Sequence, residues 1–268
     1  LALGGPEADA LTTGKGADVI LGDFGSVCYD AAGLLKQILS TDTGLGGDDT
    51  IAAGDGSDTV LGGFGSDAIT AGDGTKTVLG DSGQLDYAAA VLTQVQSLTP
   101  AIGAADTIRL GNGRKLVLGG AGNDLIDGQS GDAIVLGDAG RVRLAGGLPV
   151  RVESTDVEVA GDDAVTLGAG NSVVIGGSGA DQLTLGAGRS AVLGDNGSVD
   201  LDAQARPTEI TSTAPEVGGR DVIVVGDGGS VVLGGFGADT ITIGSGADIV
   251  LGDNGAVTLS ALVPVFVR

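Results

Sequence analysis

The sequence predicts an all-β fold, a right-handed parallel β-roll that spends two nonapeptides on each coil and carries a β-hairpin insert every three coils. Three observations predict it. From Glu216 to Ser260 the chain divides into five consecutive nines: EVGGRDVIV, VGDGGSVVL, GGFGADTIT, IGSGADIVL and GDNGAVTLS. Each has Gly at position four and an aliphatic residue at position eight, the mark of a coil that turns every repeat. The same register holds for 23 nonapeptides, 207 of the 268 residues, with position eight aliphatic in 21 and Tyr in two, Tyr29 and Tyr87. Finally, Gly counts 53 residues, aromatics are 2%, and Met, Trp and His are absent. Such a chain has no bulk for a globular core, so its interior must be thin and made of Val, Ile, Leu and Ala.

Taken in order, nonapeptides begin at Gly4, Thr13 and Gly22, then at Gly44, Ala53, Gly62, Ala71 and Gly80. They resume at Ala101, Leu110, Gly119, Gly128 and Gly137, then at Glu158, Leu167, Gly176, Leu185 and Gly194, and close with the stretch above. Blocks of five start at 44, 101, 158 and 216, a super-repeat of about 57 residues, with inserts at 31–43, 89–100, 146–157 and 203–215. Residues 1–268 therefore read as one continuous solenoid with partial repeats at both ends. Each insert follows a fifth nonapeptide of the form G-D-x-G-x-[VL]. RVRLAGGLPVRVEST (Arg141 to Thr155) and SVDLDAQARPTEITST (Ser198 to Thr213) alternate apolar and polar residues around small-residue turns, as hairpins do.

GGFGADTIT (Gly234 to Thr242) fits every position of G-G-x-G-x-D-x-U-x, and the repeats resemble the calcium-binding nonapeptides of RTX proteins. With eighteen residues per coil, alternate nonapeptides fall on opposite faces: one, three and five on a first face, two and four on a second. Five nonapeptides and a hairpin then make three coils, each super-repeat rises roughly 14 Å, and the rod is on the order of 65 Å long. Second-face triplets such as TVL, IVL and VVL are apolar throughout and suit a strand covered on both sides. AIT, QLT and TIT on the first face suit a strand with one wet side.

Net charge is −22, from 30 Asp and 5 Glu against 13 Lys and Arg. That disfavours nucleic acid and anionic membrane and favours divalent cations. Short Asp carboxylates and turn carbonyls are oxygen donors of the kind Ca2+ takes in sixes to eights. The RTX resemblance implies that position-six Asp from successive coils holds calcium. Matching positions on the first face are Asp49 with Asp67, Asp106 with Asp124, Asp163 with Asp181, and Asp221 with Asp239, with Asp9 near the start. On the second face only Asp18, Asp58 and Asp248 remain, and Lys76, Lys115, Ala133, Ser172, Ser190 and Ser230 take position six elsewhere. A one-sided ladder of several calcium ions is therefore expected, with the Lys76 ammonium standing in for a cation beside Asp58. Carboxylates about 4.8 Å apart repel by roughly 1 kcal/mol in water and by several at an effective dielectric of 20. Metal binding and folding should then be one event. The position-two Asp of the fifth nonapeptides could complete a neighbouring half-site or cap a turn.

Position nine of the second face carries Leu118, Leu136, Leu193, Leu233 and Leu251, an exposed ladder if position eight points inward. Such a ladder is an association site unless covered. Hairpins could fold over it; pairing between chains, as a homo-oligomer or filament using this face and the hairpins, is the reading favoured. With no His and one Cys, Cys28, nucleophile–base pairs are missing and no enzyme is expected. No membrane span or signal peptide is seen, and the absence of a starting Met suggests a window cut from a longer chain. An ice-binding Thr ladder is too interrupted (Thr12, Ala52, Thr70, Arg109, Asp127). These readings converge on a secreted, extracellular or cell-surface structural rod, adhesin or fibre that folds on calcium. The alternative is the calcium-folded export module of a secreted toxin or hydrolase.

Overall fold

Position-eight residues stack on themselves from coil to coil, and the architecture follows from that stacking. The computed structural model describes all residues 1–268, which form 29 strands. Triplets of nonapeptides one and three build a nine-stranded parallel sheet from Ala10–Thr12 to Thr240–Ile243. Triplets of two and four, with Ala2–Leu3, build a ten-stranded parallel sheet ending at Ile249–Leu251. Register is kept: Ile51 lies beside Ile69, Ile69 beside Ile108, and Ile108 beside Ile126 in the first sheet. Val60, Val78, Val117 and Val135 follow one another in the second. These rows face each other and make a core of fully buried Ile and Val.

The first sheet buries one side only, as in Gln182–Leu185, whose residues alternate exposed and buried. Ser172–Ile175 and Ser190–Leu193 in the second sheet are buried at every position. What covers their outer side is a third layer. The hairpins, among them Gly83–Ala88 with Val91–Ser97 and Gly140–Ala145 with Leu148–Ser154, join edge to edge into a ten-stranded antiparallel sheet. Leu85 sits beside Ile38, Val95 beside Val142, Val152 beside Val199, and Ile210 beside Val257. This row packs on the position-nine ladder of Leu61, Leu79, Leu118, Leu136, Leu193 and Leu233.

Four expectations are corrected here. The leucine ladder is not a surface: Leu118, Leu136 and Leu193 are 1% exposed and Leu233 is 0% exposed, and only Leu251 in the last coil is half-buried. Pairing between chains through this face is excluded because the hairpins occupy it. Burying a Leu or Val side chain is worth about 1.5–3 kcal/mol over leaving it exposed, so the chain closes on itself. The hairpin comes every two coils, not three, since first-sheet neighbours alternate between 18 residues apart (Ile51, Ile69) and 39 apart (Ile69, Ile108). Fifth nonapeptides do not share the first face: Val27, Leu85, Val142, Val199 and Val257 replace the position-six ligand by core side chains of the hairpin sheet. Ten stacked strands at about 4.8 Å give a rod of roughly 45 Å, shorter than the coil count of the sequence implied.

Candidate metal centre

Where the chain turns from the second sheet into the first, position six of nonapeptides one and three opens each first-sheet strand. Strand register therefore stacks the nine aspartates directly over one another. Each of the eight from Asp49 onward accepts, through Oδ1, the backbone N–H of the Asp one coil earlier. Asp49 accepts from Asp9 at 2.7 Å, Asp67 from Asp49 at 2.8 Å, and Asp106 from Asp67 at 2.7 Å. The line continues through Asp124, Asp163 and Asp181, each at 2.8 Å. It ends with Asp221 at 2.9 Å and Asp239 at 3.0 Å.

The other oxygen has no such partner. Oδ2 of Asp49, Asp67, Asp106, Asp124, Asp163, Asp181, Asp221 and Asp239 is buried and unpaired. A buried polar atom without a partner costs about 1–3 kcal/mol, and more when charged. Eight in a file must each be protonated or met by a counter-charge. Burial, reinforced by neighbouring carboxylates, pushes these groups up: Asp49 to about 6, Asp67 to about 9, Asp106 to about 8 and Asp124 to about 10. Asp163 is pushed up to about 7, Asp181 to about 9 and Asp221 to about 7, again chiefly by burial.

Carbonyl oxygens converge on the same points. A Cβ on Gly62 would lie 2.2 Å from Asp67 Oδ2 and 2.1 Å from the Gly80 carbonyl oxygen. Only Gly lets carboxylate and carbonyl meet there. Each such turn thus brings a carboxylate oxygen and a turn carbonyl together, the donor types a hard divalent cation takes.

The opposite row of turns offers an internal comparison. Asp58 Oδ1 accepts from Asp18 N–H at 3.0 Å, and its Oδ2 takes the Lys76 ammonium at 2.5 Å. That ammonium also donates to the carbonyls of Gly54 and Gly56 at 2.8 and 3.0 Å. One carboxylate and two turn carbonyls around a buried positive charge is the arrangement the first row presents without one. Asp58 is therefore already neutralised, and its place among the candidate calcium ligands falls away. Asp248 stacks on Ser230, whose N–H it accepts at 2.8 Å, and Asp18 sits half-buried before Asp58. The structure brings neither beside a second unpaired carboxylate.

Position-two Asp residues of the fifth nonapeptides are clips over long sequence separations. Asp23 accepts from Gly47 at 3.1 Å and Phe64 at 2.5 Å, and Asp195 from Gly219 at 2.9 Å and from Phe236. They tie the returning loop to the turn of the next coil. Burial pushes Asp81 up to about 8 and Asp138 to about 9, and each keeps a buried, unpaired Oδ1. Sequence carried the signal for them, the recurring G-D-x-G, but not the distant N–H groups they meet.

Comparison with characterised proteins finds no match. A family model described as RTX calcium-binding nonapeptide repeat (4 copies) matches residues 3–26, 43–75, 103–135, 111–144, 159–190, 217–250 and 224–259, more than half of the chain. The period, the aspartate ladder and this match agree, and the chain belongs to the family of RTX calcium-binding nonapeptide repeats.

Proposed function

We propose that this chain is a calcium-wound structural rod of a secreted or cell-surface protein, an adhesin or fibre segment, and that ions on the first-sheet ladder are its cofactor. The observation that carries this reading is the file of eight buried, unpaired aspartate oxygens. Asp9, Asp49, Asp67, Asp106, Asp124, Asp163, Asp181, Asp221 and Asp239 are the proposed ligands, with turn carbonyls completing each site. The three sheets run from the first repeats to the last, which supports residues 1–268 as one folding unit. Inside a cell, where calcium is scarce, the ladder's self-repulsion keeps the chain extended. Calcium-rich surroundings after export then wind it.

A calcium titration followed by circular dichroism and small-angle scattering tests the proposal. The expected result is a cooperative gain of β signal and collapse to a rod of roughly 45 Å. Full β signal at neutral pH after exhaustive chelation would overturn it.

A further inference from the structure

The hairpin sheet seals position nine of the second sheet along its length and covers position seven less completely. Leu116 and Val173 are 8% and 5% exposed, and Ile134 between them is half-buried. The side chain placed to close position seven is position eight of the fifth nonapeptide. There the chain changes from Tyr29 and Tyr87 to Leu144, Leu201 and Leu259. Tyr87 packs into the layer between second sheet and hairpins, where burial pushes its hydroxyl above the ordinary tyrosine value. Leucine lacks the ring's reach. Where Leu144 and Leu201 hold the equivalent place, a groove of about 380 Å3 remains. Its floor is Leu116, Ile134 and Val173, and hairpin residues Leu144, Leu148 and Leu201 form its wall.

The rim of this groove runs against the charge of the molecule. Apart from Lys76, which Asp58 neutralises, four of the thirteen basic residues of a −22 chain meet there: Arg114, Lys115, Arg189 and Arg206. Arg206 pairs with Asp202 at 2.7 Å. Asp132, the other rim carboxylate, accepts from the Asn171 backbone N–H and side-chain amide at 3.0 and 3.2 Å. Lys115 is 3% exposed and holds only carbonyls, those of Gly113 and Ser130 at 2.8 and 3.1 Å. Arg114 and Arg189 are exposed and make no ion pair. Cationic groups without carboxylate partners thus overlook an apolar trough.

We infer that this groove binds a single-chain anionic amphiphile, a fatty acid. Its alkyl chain lies on the Leu116, Ile134 and Val173 floor, and its carboxylate meets the Arg114 and Arg189 side of the rim. The volume falls in the range of small-molecule sites, about 300–1,000 Å3. Guanidinium presents paired donors to a carboxylate, and the tail removes apolar surface from water.

The test is calorimetric titration of the calcium-loaded chain with decanoate. Decyltrimethylammonium, of equal tail length and opposite charge, and acetate, which has no tail, serve as comparisons. Decanoate is expected to bind at about one equivalent, at least roughly tenfold tighter than the ammonium, with acetate silent. Leu144→Tyr with Leu201→Tyr fills the groove with the side chain that Tyr87 already places there. It should abolish decanoate binding while calcium stoichiometry and β signal stay unchanged. Arg114→Gln with Arg189→Gln should weaken decanoate about tenfold or more and leave the ammonium unaffected. Absence of decanoate binding, equal affinity for the cationic amphiphile, or undiminished binding by the tyrosine variant would overturn the inference. Should that variant misfold, unchanged decanoate affinity in the arginine variant, which alters exposed side chains only, overturns it as well.

Discussion

Each ladder aspartate from Asp49 to Asp239 holds the previous coil with one oxygen and keeps the other buried and unpaired, the oxygen proposed to face an ion. Asp124→Asn keeps an oxygen for the Asp106 N–H and removes the charge. Calorimetry should find at least one calcium ion fewer, with folding in chelator less impaired than in the parent. The titration of the row sets a pH dependence whose sign is opposite to that of an ion-paired carboxylate. Without metal, Asp67, Asp124 and Asp181 stay protonated in the folded chain up to about 9 or 10, but ionise near 3.9 when unfolded. The folded state therefore binds more protons. This contribution is complete below the unfolded value and is lost as pH rises through the folded ones. Urea midpoints in metal-free buffer should be higher at about pH 5 than at about pH 8. The calcium needed for half-folding should rise over the same interval, because the unfolded carboxylates are already ionised and the metal-free folded state contributes less. Lys76→Ala leaves Asp58 buried and unpaired, at a cost of about 3–5 kcal/mol, and adding Asp58→Ala should return most of it. The stacking of the position-six aspartates was legible because they recur in a fixed period, and the Lys76–Asp58 pair because Lys76 departs from it. The position-two Asp residues were legible as a recurring G-D-x-G, but their partners were not, because these are backbone N–H groups 24 to 41 residues away that no side-chain pattern marks.

At the level of the element, alternation was enough to read hairpins, and fully apolar triplets were enough to read strands covered on both faces. Alternation gives a strand two sides but does not say which layer meets each, so the leucine ladder read as a surface. The clue lay in the fifth nonapeptides: an aliphatic residue in place of a ligand at position six marks a strand that has left the ladder. The hairpin tips also depart from preference. Ala89 and Ala90 have φ of 49° and 61°, where Gly146 and Gly147 serve in the next hairpin with 59° and 79°. Left-handed backbone costs an L-residue roughly 1–2 kcal/mol, so Ala89→Asn with Ala90→Gly should raise the thermal midpoint of the calcium-loaded chain. Leu136→Ala, cut into the layer beneath the hairpins, should cost about 2–5 kcal/mol in denaturant titration. A Leu on a free outer surface would cost far less.

Across the whole molecule, three stacked sheets share one axis, and their interiors are rows of Val, Ile and Leu rather than a single bulky core. Order is propagated from coil to coil, and each coil leans on its neighbours alone. A charge of −22 opposes that stacking at every rung of the aspartate row. The period of nine made this architecture readable from the sequence. The number of coils was misjudged because a fifth nonapeptide together with its insert consumes about as much chain as a coil.

The buried lysine has a bearing on how such a rod rewinds. Coils joined at Lys76 and Asp58 are clamped by a charge that no chelator extracts. When calcium is withdrawn, amides around Gly54–Lys76 should exchange with deuterium last, and when it returns, winding should spread outward from that seam. A chain that carries its own permanent ion has a fixed starting point for assembly, set by the genome rather than by the salt around it.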